Sequence, residues 1–322
     1  VDDEGPIEMN AEPPKGKLAW ALSTLEPGER WLVAPRQLDE TGRYWSPGIR
    51  TGVVEGSRFH REEFFGPVLG VMHARSIEHA IELQNGVDYG LTAGLYTQNP
   101  HDLERWLDEV EAGNLYVNRG ITGAIVQRQP FGGWKRSSVG AGTKAGGPNY
   151  LVGLGSWRAV AGGAPSSTLH LRGLDTRITS VIEASQPSLE FTAFESLRRA
   201  ALSDAVAWDR EFGAVKDVSG LGVERNLFRY RPVPVAVRAT AGTPLQDVLR
   251  IALAGLRTMA PFTLSVADGL PAAVRRALVA LDVPVFAEKD VEWVQRVRGP
   301  LDLVAALADE DQVPRVPRVR IV

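Results

Sequence analysis

Cysteine is absent from all 322 residues. Its absence excludes disulfides, thiolate metal sites and a cysteine nucleophile within the chain, and it fits a reducing, cytoplasmic setting. No window approaches the ~20 consecutive apolar residues that span a bilayer. Excess basic charge is also missing: a net charge of -3 leaves no electrostatic case for nucleic acid. The arginines near the C-terminus (Arg296, Arg298, Arg315, Arg318, Arg320) are interrupted by acids and prolines and read as a solvated face. The five histidines (His60, His73, His79, His101, His170) show no metal-ligand spacing, so no metal site is expected. There is no G-x-S-x-G elbow, and no G-x-G-x-x-G follows a candidate strand. Gly140-Ala141-Gly142-Thr143-Lys144 looks superficially like a phosphate loop. It lacks the G-K-[ST] ending and does not lie between a strand and a helix, so it reads as a turn. The chain begins Val1-Asp2-Asp3-Glu4 with no signal-type segment, and it ends on the strand-like run 319–322. Both ends read as cuts in a longer protein.

What is present is an ordinary globular composition, 44% hydrophobic and 23% charged, long enough for about two domains. Residues 1–61 read as irregular, with short strand pieces such as 31–33. A strand is expected over Val68–Met72. Ser76 caps a helix carrying Ile77, Ala80 and Ile81, which Asn85-Gly86 ends. A strand follows over Leu91–Thr97, then a helix from Asn99-Pro100 with Leu103, Trp106, Leu107 and Val110 on one face, then a strand at Leu115–Val117. Alternating strand and helix implies an α/β fold with parallel sheets. After a glycine-rich tract (132–155), residues 161–187 are rich in Gly, Ala, Ser and Pro and read as a linker. Alternation then resumes. A helix bears Leu189, Phe194, Leu197 and Leu202. Strands are expected at 233–237, 262–266 and 285–286, with helices over 243–259 and 271–281.

Three stretches concentrate chemistry: EEFFGPV (62–68), TGA within GITGAIVQRQPFGG (120–133), and KAGGPNYL (144–151). In the first, acids lie against phenyl rings beside a Gly-Pro turn. That is either a loop entering a strand or the edge of a ligand site in which a carboxylate holds a polyol. TGA exposes small residues whose backbone N–H groups can hold a carboxylate without a fixed charge. Phe131 could wall the same pocket.

With EEFFGPVLGVM, YGLTAGLYT, GNLYVNRGITGAIVQRQPFGG and KAGGPNYL, the sequence resembles the C-terminal half of an aldehyde dehydrogenase catalytic domain. TGAIVQRQPFGG and KAGGPNYL narrow the resemblance to the L-glutamate γ-semialdehyde (1-pyrroline-5-carboxylate) dehydrogenases of bifunctional proline-utilisation proteins. The match covers roughly 20–157. It implies that Glu63 accepts the hydroxyls of the nicotinamide ribose and that Phe65 flanks the nicotinamide. It implies further that Gly123 and Ala124 anchor the substrate carboxylate, and that Phe131 walls the aldehyde pocket. The family's reaction needs a cysteine nucleophile and a water-activating glutamate. By the resemblance both lie N-terminal to this portion, so no catalytic residue is assigned here and the chain alone is expected to be inactive. The cofactor would be NAD in the intact protein, with FAD only if a proline dehydrogenase is fused outside the chain. The partners implied are the semialdehyde, the N-terminal domains and a homo-oligomer. Ser137-Ser138 stands where the family has Ser-Gly and is expected to alter that turn.

Residues 233–268 resemble the first strand–helix–strand of the family's own cofactor domain, a degenerate Rossmann-like copy. The second strand ends in Asp268, where a cofactor-binding copy carries Lys-Pro, which argues against NAD there. The expected organisation is a partial catalytic domain (1–157), a linker (158–187) and a C-terminal parallel-sheet domain (188–322). The competing expectation is a non-catalytic module for structure, assembly or a lid.

Overall fold

The computed structural model describes residues 7–8, 15–125, 128–138, 143–156, 173–297 and 318–321. His170, Arg298, Arg315, the glycines at 140 and 142, and the first part of the expected linker lie outside the described residues. The chain divides into two compact units, 1–156 and 157–322.

In unit 1 the helix starts follow capping chemistry. Ser76 accepts from the His79 N–H at the start of α3 (Ile77–Asn85), and Asn99 accepts from the His101 N–H at the start of α4 (Pro100–Glu109), with Pro100 in the first turn. The buried face of α4 places Trp106 and Val110 against Ile81, Ala93 and Ala112. Trp106 keeps its ring N–H satisfied by donating to Gln84 Oε1 at 2.8 Å. Beneath these helices β4 (Thr92–Leu95) pairs parallel with β5 (Asn114–Val117), the parallel arrangement expected from the alternation.

The stretch read as irregular holds more structure than its sequence announces. Helix α1 (Gly16–Ser23) buries Leu18, Ala21 and Leu22, and strand β2 (Gly48–Val53) lies between β1 (Arg30–Val33, antiparallel) and β3 (Val68–Met72, parallel). Both escape a pattern search for physical reasons. Lys15 gives α1 no side-chain cap. The strand β2, GIRTGV, contains two glycines and a buried arginine. Arg50 tolerates burial because Glu29 pairs with it at 2.9 Å and the Phe59 and Trp31 rings cover it at 4.1 and 4.8 Å.

Unit 2 is built on a four-stranded, fully parallel sheet, with a separate antiparallel pair of two-residue strands at 216–217 and 227–228. The strands of the parallel sheet are β6 (Val235–Ala239), β7 (Phe262–Val266), β8 (Val285–Ala287) and β9 (Arg318–Ile321), in the spatial order β8-β7-β6-β9. Numbered within the unit this is 3-2-1-4, the order of a Rossmann half-sheet. Helices α7 (Leu245–Thr258) and α8 (Ala272–Val279) make the crossovers. Val248, Leu249, Ala252, Leu253 and Leu256 of α7 pack with Val237, Leu264 and Val266 in one core.

The expected linker 158–187 is corrected over its second part. Residues Thr176–Ser185 form helix α5, capped by Asp175, whose carboxylate accepts from the Arg177 N–H. Ile178, Val181 and Ile182 of α5 are fully buried in the unit 2 core, beside α6 (Phe191–Ala207). Serine and threonine content hid the i, i+3, i+4 spacing of three β-branched residues.

Candidate active site

The side chains of EEFFGPV have separate environments. Phe64 is 6% exposed and stacks on Phe59 at 4.8 Å and Trp20 at 5.4 Å. Glu62 is turned back on α2 (Arg58–Arg61), where Arg58 donates to both its oxygens at 3.1 and 3.2 Å. One phenyl and one acid therefore serve the structure. The other pair does not. Phe65 is 83% exposed and holds φ at +51°, a left-handed conformation that costs a bulky residue ~1–2 kcal/mol. No packing of the ring offsets that strain. Glu63 is also exposed, and its backbone carbonyl is fixed by the Lys17 ammonium while its carboxylate faces solvent. Glu62, Glu63, Phe65, Gly66 and Val68 border an open cleft of ≈ 450 Å³. An exposed acceptor beside an exposed flat ring suits the sugar and base of a nucleotide.

The second constellation follows β5. Asn118 holds φ at +54° and closes the loop by accepting from the Thr97 N–H and donating to the Thr97 carbonyl, each at 2.9 Å. Arg119 then lies over the Tyr116 ring at 5.3 Å. Gly123 has φ at +82°, and residues 121–125 are exposed. A Cβ at Gly123 would meet only Arg119 Nη2, at 3.9 Å. Space therefore does not demand glycine here; the backbone angle does. Among the described residues, the N–H groups of Gly123 and Ala124 donate to no protein acceptor.

Phe131 is half-buried and joined to Ala145 by two backbone bonds, 3.0 Å from its N–H and 2.9 Å to its carbonyl. Next to it, Gly132 and Gly113 approach so closely that a Cβ on Gly113 would stand 2.0 Å from the Gly132 carbonyl oxygen. Asn114 Nδ2 donates to that same oxygen at 3.2 Å. Lys144, the first residue of KAGGPNYL, sends its Nζ to Gly132 O at 2.6 Å and to Gly113 O. Burial pushes its pKa down to about 8. At the Ser137-Ser138 departure, Ser138 Oγ donates to Lys135 O at 3.0 Å and Ser137 Oγ accepts from the Gly90 N–H at 3.2 Å. The turn's left-handed residue is Lys135 (φ +52°), so Ser138 fits without backbone strain.

Glu63 and Phe65 thus share one cleft, while Phe131 shares a tie with Lys144-Ala145. Among the described residues, no hydrogen bond or ring contact joins the first pair to Gly123, Ala124 or Phe131. His60 and His79 serve the backbone: His60 accepts from the Gly56 N–H and meets Leu83 O at 2.8 Å, and His79 accepts from the Arg75 N–H. Among the described residues no cluster could hold a metal, and no helix is long and apolar enough to cross a membrane.

Unit 2 has a smaller cleft, ≈ 230 Å³, at the carboxyl ends of β6 and β7 beside the start of α7. This is where a Rossmann half-sheet receives a nucleotide. Here Asp268 Oδ2 already accepts from the Gly242 N–H at 2.8 Å.

Residues 21–155 match the aldehyde dehydrogenase family. This segment belongs to it. The 1-pyrroline-5-carboxylate dehydrogenase of Bacillus subtilis (strain 168) is 46% identical over 114 residues, 35% of this chain and 22% of that enzyme. A 1-pyrroline-5-carboxylate dehydrogenase 2 of Halalkalibacterium halodurans is 41% identical over 141 residues, 43% of this chain and 27% of that one. The solved structure of proline utilization A from Corynebacterium freiburgense superposes with a TM-score of 0.66 at 42% identity. That likeness covers 86% of this chain, reaching beyond the aldehyde dehydrogenase segment into unit 2, and 29% of the larger protein. The chain spans about a quarter of the length of these relatives.

Proposed function

We propose that the intact protein oxidises L-glutamate γ-semialdehyde to L-glutamate with NAD, and that this chain supplies the nicotinamide edge and the carboxylate anchor of that site. Glu63 holds the nicotinamide ribose, Phe65 flanks the nicotinamide, the N–H groups of Gly123 and Ala124 anchor the substrate's carboxylate, and Phe131 walls the pocket. The exposed carboxylate of Glu63 and the exposed ring of Phe65, carried on a strained backbone, fit such a cofactor, which when bound takes up a hydride. The nucleophilic cysteine and the water-activating glutamate come from outside this chain. A fused FAD-dependent proline dehydrogenase, a homo-oligomeric assembly and a cytoplasmic location belong to the same reading, and the likeness to proline utilization A supports the fusion. A second role, structural or lid-like, suits unit 2, because Asp268 already occupies the amide of Gly242 in its nucleotide cleft.

The observation carrying the reading is the pair of unspent N–H donors on a left-handed loop, inside the segment that matches the aldehyde dehydrogenase family. Gly123→Val tests it in the full-length protein. A β-branched residue resists φ near +82°, so the loop turns and both donors leave the carboxylate. KM for the semialdehyde should rise about tenfold, and KM for propanal, which has no carboxylate, should barely move. Equal losses on both aldehydes with a lower melting temperature would remove the anchor role. A full-length protein unable to reduce NAD with the semialdehyde would remove the whole reading.

A further inference from the structure

Lys144 is a cation with no part in the chemistry proposed above, yet burial alone pushes its pKa down to about 8. Its Nζ donates to the carbonyls of Gly113 and Gly132, which lie 31 and 12 positions away in sequence. Its stem lies over Gly132, with Cγ 3.1 Å from where a Cβ of that glycine would be. The partners are carbonyls of the chain itself, so this lysine is already engaged and does not present itself to a phosphate. What those carbonyls belong to gives the clue. Gly113 leads into β5, which ends at the anchor loop, and Gly132 follows Phe131 directly. Phe131 in turn exchanges both its backbone bonds with Ala145, the neighbour of Lys144. The same two segments are thus tied at adjacent positions, once by an isolated backbone bridge and once by an ammonium. An isolated bridge has no ladder on either side to hold its register, and the ammonium supplies the missing restraint.

We propose that Lys144 is a positioning residue for the aldehyde pocket: its ammonium gathers the Gly113 and Gly132 carbonyls and thereby fixes Phe131 as the pocket wall. The inference rests on the semialdehyde-dehydrogenase reading, but the clamp itself can be judged apart from it. In the full-length protein, Lys144→Met keeps the stem and deletes the donors, and Lys144→Arg keeps a charged donor. Lys144→Met should raise KM about tenfold for both the semialdehyde and propanal, because the wall touches either substrate, with kcat changed by less than about twofold. Lys144→Arg should restore most of the loss. A purely structural lysine would lower Tm and active-site content and leave KM alone, and that result overturns the proposal. The second arm is hydrogen exchange of peptides carrying the Phe131 and Ala145 amides. Exchange should quicken in Lys144→Met and not in Lys144→Arg; unchanged protection overturns the clamp whether or not the protein oxidises the semialdehyde. Loss of protection in a protein inactive on the semialdehyde would uphold the clamp and reject the wider reading instead.

Discussion

The two units each carry a cleft at the edge of a sheet containing parallel strands, and they treat polar groups in opposite ways. In unit 1 the cleft beside β3 leaves the Glu63 carboxylate in solvent and holds Phe65 exposed at φ +51°. In unit 2 the cleft at the ends of β6 and β7 satisfies itself, Asp268 accepting the N–H that a nucleotide phosphate would otherwise claim. Local cost that packing does not offset marks a place where something else is meant to bind. Local satisfaction marks a site that has become scaffold. The two clefts lie at opposite strand ends, the amino end of β3 and the carboxyl ends of β6 and β7, yet each is read as open or closed from the state of a few polar atoms.

The strongest way to break this contrast is Glu63→Gln in the full-length protein. The substitution keeps the size of the side chain and replaces one acceptor oxygen with a donor. A charge-assisted hydrogen bond is worth ~1.5–3 kcal/mol, so turnover at saturating aldehyde should fall about tenfold or more. Glu62→Gln on the same stretch should leave turnover nearly unchanged, since Glu62 is spent on Arg58 at a half-exposed pair worth only a few tenths of a kcal/mol. Equal kinetics for wild type and Glu63→Gln would return Glu63 to the role of a solvated loop acid.

A smaller effect is expected from Lys144, and it has a defined direction. Its pKa is depressed from 10.5 to about 8 by burial, so the folded state disfavours the charged form. Below pH 8 both folded and unfolded chains hold the proton, and folding carries the desolvation cost. Between pH 8 and 10.5 the unfolded chain binds more protons, so stability rises with pH and the cost is gone above the unfolded pKa. Partial solvent access limits the gain to about 1–2 kcal/mol. The ion pair of Lys135 with Glu111 at 3.1 Å, in the same unit, is present in wild type and Lys144→Met alike and cancels between them. Subtracting urea midpoints of Lys144→Met from those of wild type across pH 7.5 to 10.5 should give a difference that climbs with pH; a flat difference would mean that the ammonium is not desolvated.

How much of this was legible beforehand depends on the range of the interaction. Ser76 and Asn99 announced their helices because a cap acts over two or three residues, and both bonds are present. The face of α7 could be read for the same reason, with Val248, Leu249, Ala252, Leu253 and Leu256 all buried. Helix α5 was missed although Ile178, Val181 and Ile182 carry helical spacing, because composition was weighed above periodicity. Arg50 was illegible: its cage of Trp20, Trp31 and Phe59 assembles from three separate elements. At the site, the resemblance named Glu63, Phe65, Gly123, Ala124 and Phe131 as residues to watch. It could not separate Glu63 from Glu62 physically, which the Arg58 pair does. Lys144 lay inside a stretch already singled out, but its partners are backbone carbonyls far along the chain, and no local pattern encodes such a bond.

The smallest expected effect sharpens the closed side of the comparison. Asp268→Asn preserves shape and removes the charge that faces Gly242. If the carboxylate is a built-in substitute for a bound anion, the neutral amide still accepts from the Gly242 N–H through its oxygen but loses the charge-assisted part of the bond. The loss should be about 0.5–1 kcal/mol of stability in unit 2, a shift of a few degrees at most. Emptying the cleft of charge should not by itself create a nucleotide site. Thr240 and Thr243 border it and a basic group for the adenosine ribose is lacking among its described lining residues, so NAD and ADP should bind to neither wild type nor Asp268→Asn at this unit. Isothermal titration on full-length protein carrying Glu63→Gln, which weakens the unit 1 cleft, isolates the question. Two binding events in that background, or a new one appearing with Asp268→Asn, would show unit 2 to be a masked nucleotide site held shut by one carboxylate. A single residual event, the same in both, would leave Asp268 as scaffold and the contrast between the two units intact.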